Sequence, residues 1–93
     1  MSSLRIYDLD FDDENKDKLS RRGISMEDAL DLISSRYAIV RNKRRGRGRY
    51  KVIGRDGAGR ILTMILEPTR VKTTWRPVTG WPSTGAEKKL IPN

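Results

Sequence analysis

The sequence predicts an α+β domain in which two N-terminal helices pack on one face of a mainly antiparallel sheet. The expected order is β-α-α-β-β-β-β, with a short C-terminal helix able to close it. Two observations carry this. Apolar residues recur with a helical period of about 3.6 up to Ser35 and with a strand period of about 2 beyond it. The later connectors are short and rich in Gly and Pro, which forces antiparallel neighbours. With 93 residues and no internal repeat, the chain reads as one domain.

Residues 5–9 alternate as a short strand. Asp12 or Asp13 then caps a first helix with Asp13 and Glu14 in its opening turn and Arg21 and Arg22 in its last. That order suits the helix dipole, and Gly23 supplies the left-handed stop. Leu19 is nearly all of its apolar face, so Phe11, Leu19 and Ile24 must dock it. The second helix starts at Ser25, which forms a capping-box-like pair with Asp28, and Ile24 can staple onto Ala29. Met26, Ala29, Leu30 and Ile33 fall on one stripe, the expected core face.

Four strands follow, at 37–40, 50–54, 60–67 and 71–78. "DGAG" (56–59) carries a hairpin signal and Pro68 marks a tight turn, so 50–78 should be a three-stranded meander. The nearly all-apolar stretch 61–66 suits a central strand. Pro77 cannot donate to a ladder, so the last strand should end there or lie at an edge. "GWPSTG" reads as a turn, Trp81 as a plug at the sheet end, and Ser83 or Thr84 as the cap of the closing helix.

Composition narrows the function. Neither Cys nor His is present, so disulfides are excluded and a Zn or Cu site is disfavoured. No window approaches the apolar length of a membrane span, so a soluble, cytoplasmic protein is expected. Charge is unevenly placed. Residues 1–35 hold 5 Lys/Arg against 9 Asp/Glu, a net of −4, while residues 36–93 hold 15 against 3, a net of +12. Such a field attracts phosphate-rich partners. The acids at positions 8–14 read as a helix N-terminus rather than a metal site.

The basic run "RNKRRGRGR" places Arg41, Lys43, Arg44, Arg45, Arg47 and Arg49 between two strands, where a loop on a rigid scaffold can grip a phosphate backbone without sequence preference. Lys51 and Arg55 share one strand face, as do Lys72 and Arg76. Even-length hairpins send the two pairs to opposite faces; one odd loop or bulge brings them together. Convergence on the face away from the helices is expected, because buried unpaired cations are costly.

"DFDDENKDKLSRRGISMEDAL", "GRYKVIGRDGAGRILTMILEPT" and "VKTTWRP" together resemble the BrnT-type toxins of the RelE-like ribonuclease superfamily, over roughly residues 6–90. The resemblance implies a RelE-like fold, RNA cleavage without metal or other cofactor, and neutralisation by a ribbon-helix-helix antitoxin. It marks Arg49, Arg55 and Arg76 as functional cations. This chain has Arg22-Gly23 where the family often has His-Gly, and its loop before the third strand is strongly basic.

Metal-free RNA cleavage needs a base for the 2′-hydroxyl, charge stabilisation at phosphorus and a proton for the leaving oxygen. Arg49, Arg55 and Arg76 suit the phosphate, because arginine forks bind it bidentately and stay charged. Without histidine, the base falls to Glu67, the one carboxylate in the basic-half strands, or to a lysine such as Lys51 or Lys72. Lys88 or Lys89 could supply the proton. A slow or ribosome-assisted ribonuclease acting on messenger RNA is expected. Tyr50 and Trp75 are candidate platforms for unpaired bases, with core packing the alternative. Glu67 has a bland alternative too, pairing with Arg70. Two other functional readings stand beside cleavage: a noncatalytic nucleic-acid-binding module using the same sheet and loop, and a subunit whose basic face docks an acidic protein.

Overall fold

The computed structural model describes residues 6–42 and 50–91. Among the described residues eight elements follow one another: β1 (Asp8–Leu9), α1 (Asp13–Arg21), α2 (Met26–Ser34), β2 (Ala38–Arg41), β3 (Tyr50–Arg55), β4 (Ile61–Pro68), β5 (Thr74–Pro82) and α3 (Gly85–Lys88). They build the expected α+β arrangement. One five-stranded sheet has the order β1-β5-β4-β3-β2. β1 runs parallel to β5 and every other neighbour is antiparallel. Among the described residues, no helix is long and apolar enough to cross a membrane.

Both helix starts follow from local chemistry. Asp12 caps α1 by accepting from the Asn15 amide at 2.7 Å, while Asn15 Oδ1 accepts from the Asp12 amide at 3.0 Å. Ser25 and Asp28 make the same reciprocal box at α2. Gly23, at φ 75°, takes the left-handed conformation that stops α1. Leu19 and Ile24 are buried and Phe11 packs against the same cluster, so α1 docks as expected.

α2 is rolled relative to the expected stripe. Ala29, Leu32 and Ile33 are buried, whereas Met26 is 46% and Leu30 39% exposed. The sheet beneath explains the roll. A Cβ at Gly54 would sit 3.1 Å from the Leu32 carbonyl oxygen and 3.2 Å from its Cδ2, so the missing side chain admits Leu32 directly onto β3. Gly80 does the same for α1, since a Cβ there would lie 2.9 Å from both Leu19 Cδ2 and the Thr63 carbonyl oxygen. Gly80→Ala should therefore lower stability by about 1–3 kcal/mol, read as a shifted denaturant midpoint at unchanged slope.

β5 departs from expectation. It begins at Thr74, so Val71 and Lys72 belong to the connection before it, and it runs past Pro77 to Pro82. Trp81 is thus a strand residue rather than part of a turn. Pro77 is tolerated because β1 flanks β5 only at Thr74 and Trp75. Beside Pro77 the ladder also slips, with Ile65 opposite Thr79 but Leu66 opposite Pro77, leaving Val78 as the extra residue of a bulge.

The β3–β4 hairpin decides where the cations point. Arg55 pairs with Ile61, so the connection 56–60 has odd length, and Arg76 pairs with Glu67. Lys51, Arg55, Glu67 and Arg76 consequently share the face away from α1 and α2. Val52, Leu62, Met64 and Leu66 fill the opposite, helix-covered side.

Candidate nucleic-acid interface

The second face of the sheet is itself partly covered. α3 lies against it through Glu87, only 7% exposed. One carboxylate oxygen accepts from the Thr84 amide at 2.8 Å, from Thr63 Oγ1 at 3.0 Å and from Trp81 Nε1 at 3.0 Å. The other faces Lys51 Nζ at 3.2 Å. Burial raises the Glu87 pKa, but the Thr84, Trp81, Thr63 and Lys51 donors outweigh it and hold the carboxyl at about 2, below its ordinary 4.5. Lys51, expected to meet RNA or act as a base, is thus committed to α3. Lys88 is exposed at the end of that helix. α3 is anchored on Thr63, four β4 positions from Glu67, or about 13 Å.

A different group forms where β5 begins. Arg76 Nη1 donates to Glu67 Oε1 at 3.0 Å. On the other side of the guanidinium, Nε and Nη2 reach Asp12 Oδ2 at 2.8 and 2.6 Å, and Nη2 also reaches Glu14 Oε1 at 3.2 Å. The Asp12 bonds first, then those to Glu67 and Glu14, hold Arg76 above its ordinary pKa. Asp12 is held below its ordinary range, first by the Asn15 amide and then by Arg76. Sequence reading missed both contacts with α1.

The same end of the sheet gathers further candidates. Arg41 pairs with Tyr50 across β2 and β3, and Tyr50 pairs with Leu66, next to Glu67. Lys72 lies in the connection between Pro68 and Thr74, not on a strand. The Arg41 guanidinium stands 5.9 Å from the Tyr50 ring centroid, a cation–π contact. Tyr50 meets Trp75 edge to face at 5.4 Å and packs with the helix-side core, which Trp75 belongs to. Neither ring is an open stacking platform: Trp75 takes the core alternative, and Tyr50 presents its ring to Arg41 and Trp75.

Of the three expected arginines, the two described, Arg55 and Arg76, are not brought together. Arg55 shares a face with Arg76, but Ile61 and Glu67, their β4 partners, are six positions apart. That spacing, with β4 between them, separates the two arginines by roughly 20 Å, beyond the reach of one phosphodiester. The Arg55 amide donates to Ser35 Oγ at 3.1 Å, at the far end of the sheet. Lys43, Arg44, Arg45, Arg47 and Arg49 lie outside the described residues. The strands that their segment joins, β2 and β3, meet it at the Arg41–Tyr50 pair.

Comparison with protein-family models, with curated proteins and with solved structures gives no match.

Proposed function

We propose that the chain is an RNA-cleaving toxin of a two-gene toxin–antitoxin pair, working in the cytoplasm without a metal. Its working end is Glu67 and Arg76 together with Lys72 and the basic segment attached between Arg41 and Tyr50. The observation that carries the reading is the direct contact of the one basic-half strand carboxylate with a strand arginine, at the sheet end where the cation-rich segment joins. Glu67 takes the 2′-hydroxyl proton as the 2′-oxygen bonds to phosphorus, Arg76 stabilises the charge that develops there, and the P–O5′ bond breaks with the departing oxygen taking a proton from solvent. The basic segment holds the backbone. The ordered motifs that resemble BrnT-type toxins support the same reading, and with it a ribbon-helix-helix antitoxin as partner.

Purified protein incubated with RNA in chelator tests this. Cleavage should appear and should survive in Arg55→Ala within about twofold, because that side chain is remote from the site. A large loss in Arg55→Ala would return the centre to the other end of the sheet. Induction in a bacterial host should arrest growth, and co-expression of a cognate ribbon-helix-helix antitoxin should restore it.

One observation favours a second reading. Arg76 already faces three carboxylates, so it suits a structural tie as well as a phosphate clamp. A noncatalytic RNA-binding module would then bind with strong salt dependence, yield no cleaved product and leave growth unaffected.

A further inference from the structure

The guanidinium of Arg76 offers two edges on which a phosphate could form a bidentate pair. Asp12 Oδ2 occupies the Nε–Nη2 edge, Glu67 holds Nη1, and Glu14 also engages Nη2. Three carboxylates around one cation leave the group with a net charge of −2. In this arrangement a phosphodiester meets no open fork and is repelled.

The three acids differ in how firmly they are placed. Glu67 sits on β4 and its side chain is 24% exposed, whereas those of Asp12 and Glu14 are 42% and 56% exposed at the first turn of α1. Exposed ion pairs contribute little, so the two helix acids are the displaceable ones. Asp12 also divides its duties. Oδ1 caps α1 through the Asn15 amide, and Oδ2 reaches Arg76, so releasing Arg76 need not uncap the helix.

We propose that Asp12 and Glu14 form an autoinhibitory contact, standing where the oxygens of an RNA phosphate would otherwise engage Arg76. This rests on the RNA reading for its ligand, but the contact and its test concern any phosphate anion. Binding opens the site by exchanging the two α1 carboxylates for phosphate oxygens, while Glu67 keeps its hold on Nη1.

The test compares two double variants of equal charge. Asp12→Asn/Glu14→Gln keeps a cap acceptor and removes the contact. Asp13→Asn/Asp17→Asn removes two acids from the same helix that pair instead with Lys16 and Arg21. Affinities for a short single-stranded RNA, by fluorescence anisotropy, and for inorganic pyrophosphate, by calorimetry, are measured after thermal unfolding shows both variants folded. The first variant should bind both probes roughly five- to tenfold more tightly than the second. Adding Arg76→Gln to it should erase the advantage. Glu14→Gln alone, which touches no cap, should shift affinity in the same direction by less.

Equal gains in the two double variants would overturn the proposal, as would an advantage that survives Arg76→Gln. A gain for pyrophosphate with no RNA bound by any form would sink the RNA reading and leave the contact standing. RNA cleaved by the wild type with no gain in the variant would do the reverse. Neither probe bound by any form would remove both.

Discussion

Glu67→Gln should leave the fold intact and reduce RNA cleavage by about 10²–10⁴-fold, the range expected when a general base is removed. Glutamine keeps an oxygen that can accept from Arg76 Nη1, now 3.0 Å from Glu67 Oε1, so the tie between β4 and β5 persists. It cannot take a proton. RNA affinity should hold or tighten, because removing one anion from the interface favours the approach of another. Cleavage rate and affinity are therefore expected to separate, and that separation identifies chemistry rather than docking. Cleavage unchanged in Glu67→Gln would exclude Glu67 as the base. Lys72 would then be the remaining candidate among the described residues at that end, since Lys51 is tied to Glu87.

Glu87→Ala should destabilise the protein by about 3–5 kcal/mol, the range seen when one partner of a buried polar pair is deleted. The loss exceeds a surface substitution because the Trp81 indole N–H and the Thr84 amide lose their acceptor, the buried Thr63 hydroxyl keeps only Ser83, and Lys51 loses its ion pair. The same group sets an acid limit. Its carboxyl is held at about 2 in the fold against an ordinary 4.5. Because the folded value is depressed, its contribution is fully present above about pH 5 and is lost as the pH falls towards 2. Wild type should lose on the order of 3 kcal/mol across that window, beyond what Glu87→Ala loses. Urea unfolding between pH 2.5 and 7 measures both curves. Parallel curves would show that Glu87 is not the titrating group.

Much of the fold is legible in the chain because its signals are local. Ser25 with Asp28 and the Gly23 stop place the helices without reference to anything distant, and the change of apolar period at Ser35 separates them from the sheet. Short connectors then fix the antiparallel meander. What escapes a sequence reading depends on contacts between remote segments. The roll of α2 follows from the bare backbone at Gly54, and the face shared by Arg55 and Arg76 follows from one odd-length turn.

The site was harder to read for the same reason. Arg76 is identifiable as a strand arginine, but its partners Asp12 and Glu14 stand more than 60 residues away. α3 left a usable trace in Thr84-x-x-Glu87, a capping-box pattern that marks Glu87 as turned inward over its own helix start. Reading that pattern would have placed the carboxylate, though not its grip on Thr63. The charge asymmetry also looks different once folded. Part of it is internal, because acids of the helix half meet cations of the strand half at Asp12–Arg76, Glu14–Arg76 and Asp28–Arg60.

The most direct measurement is chemical-shift mapping of the isotopically labelled protein during titration with a short single-stranded RNA, at low and at moderate salt. The largest changes should fall on Glu67, Lys72 and Arg76, and should weaken as salt rises. Changes confined to Arg55 and the 56–60 turn, or absent from the sheet altogether, would contradict a single RNA-engaging end at Glu67 and Arg76.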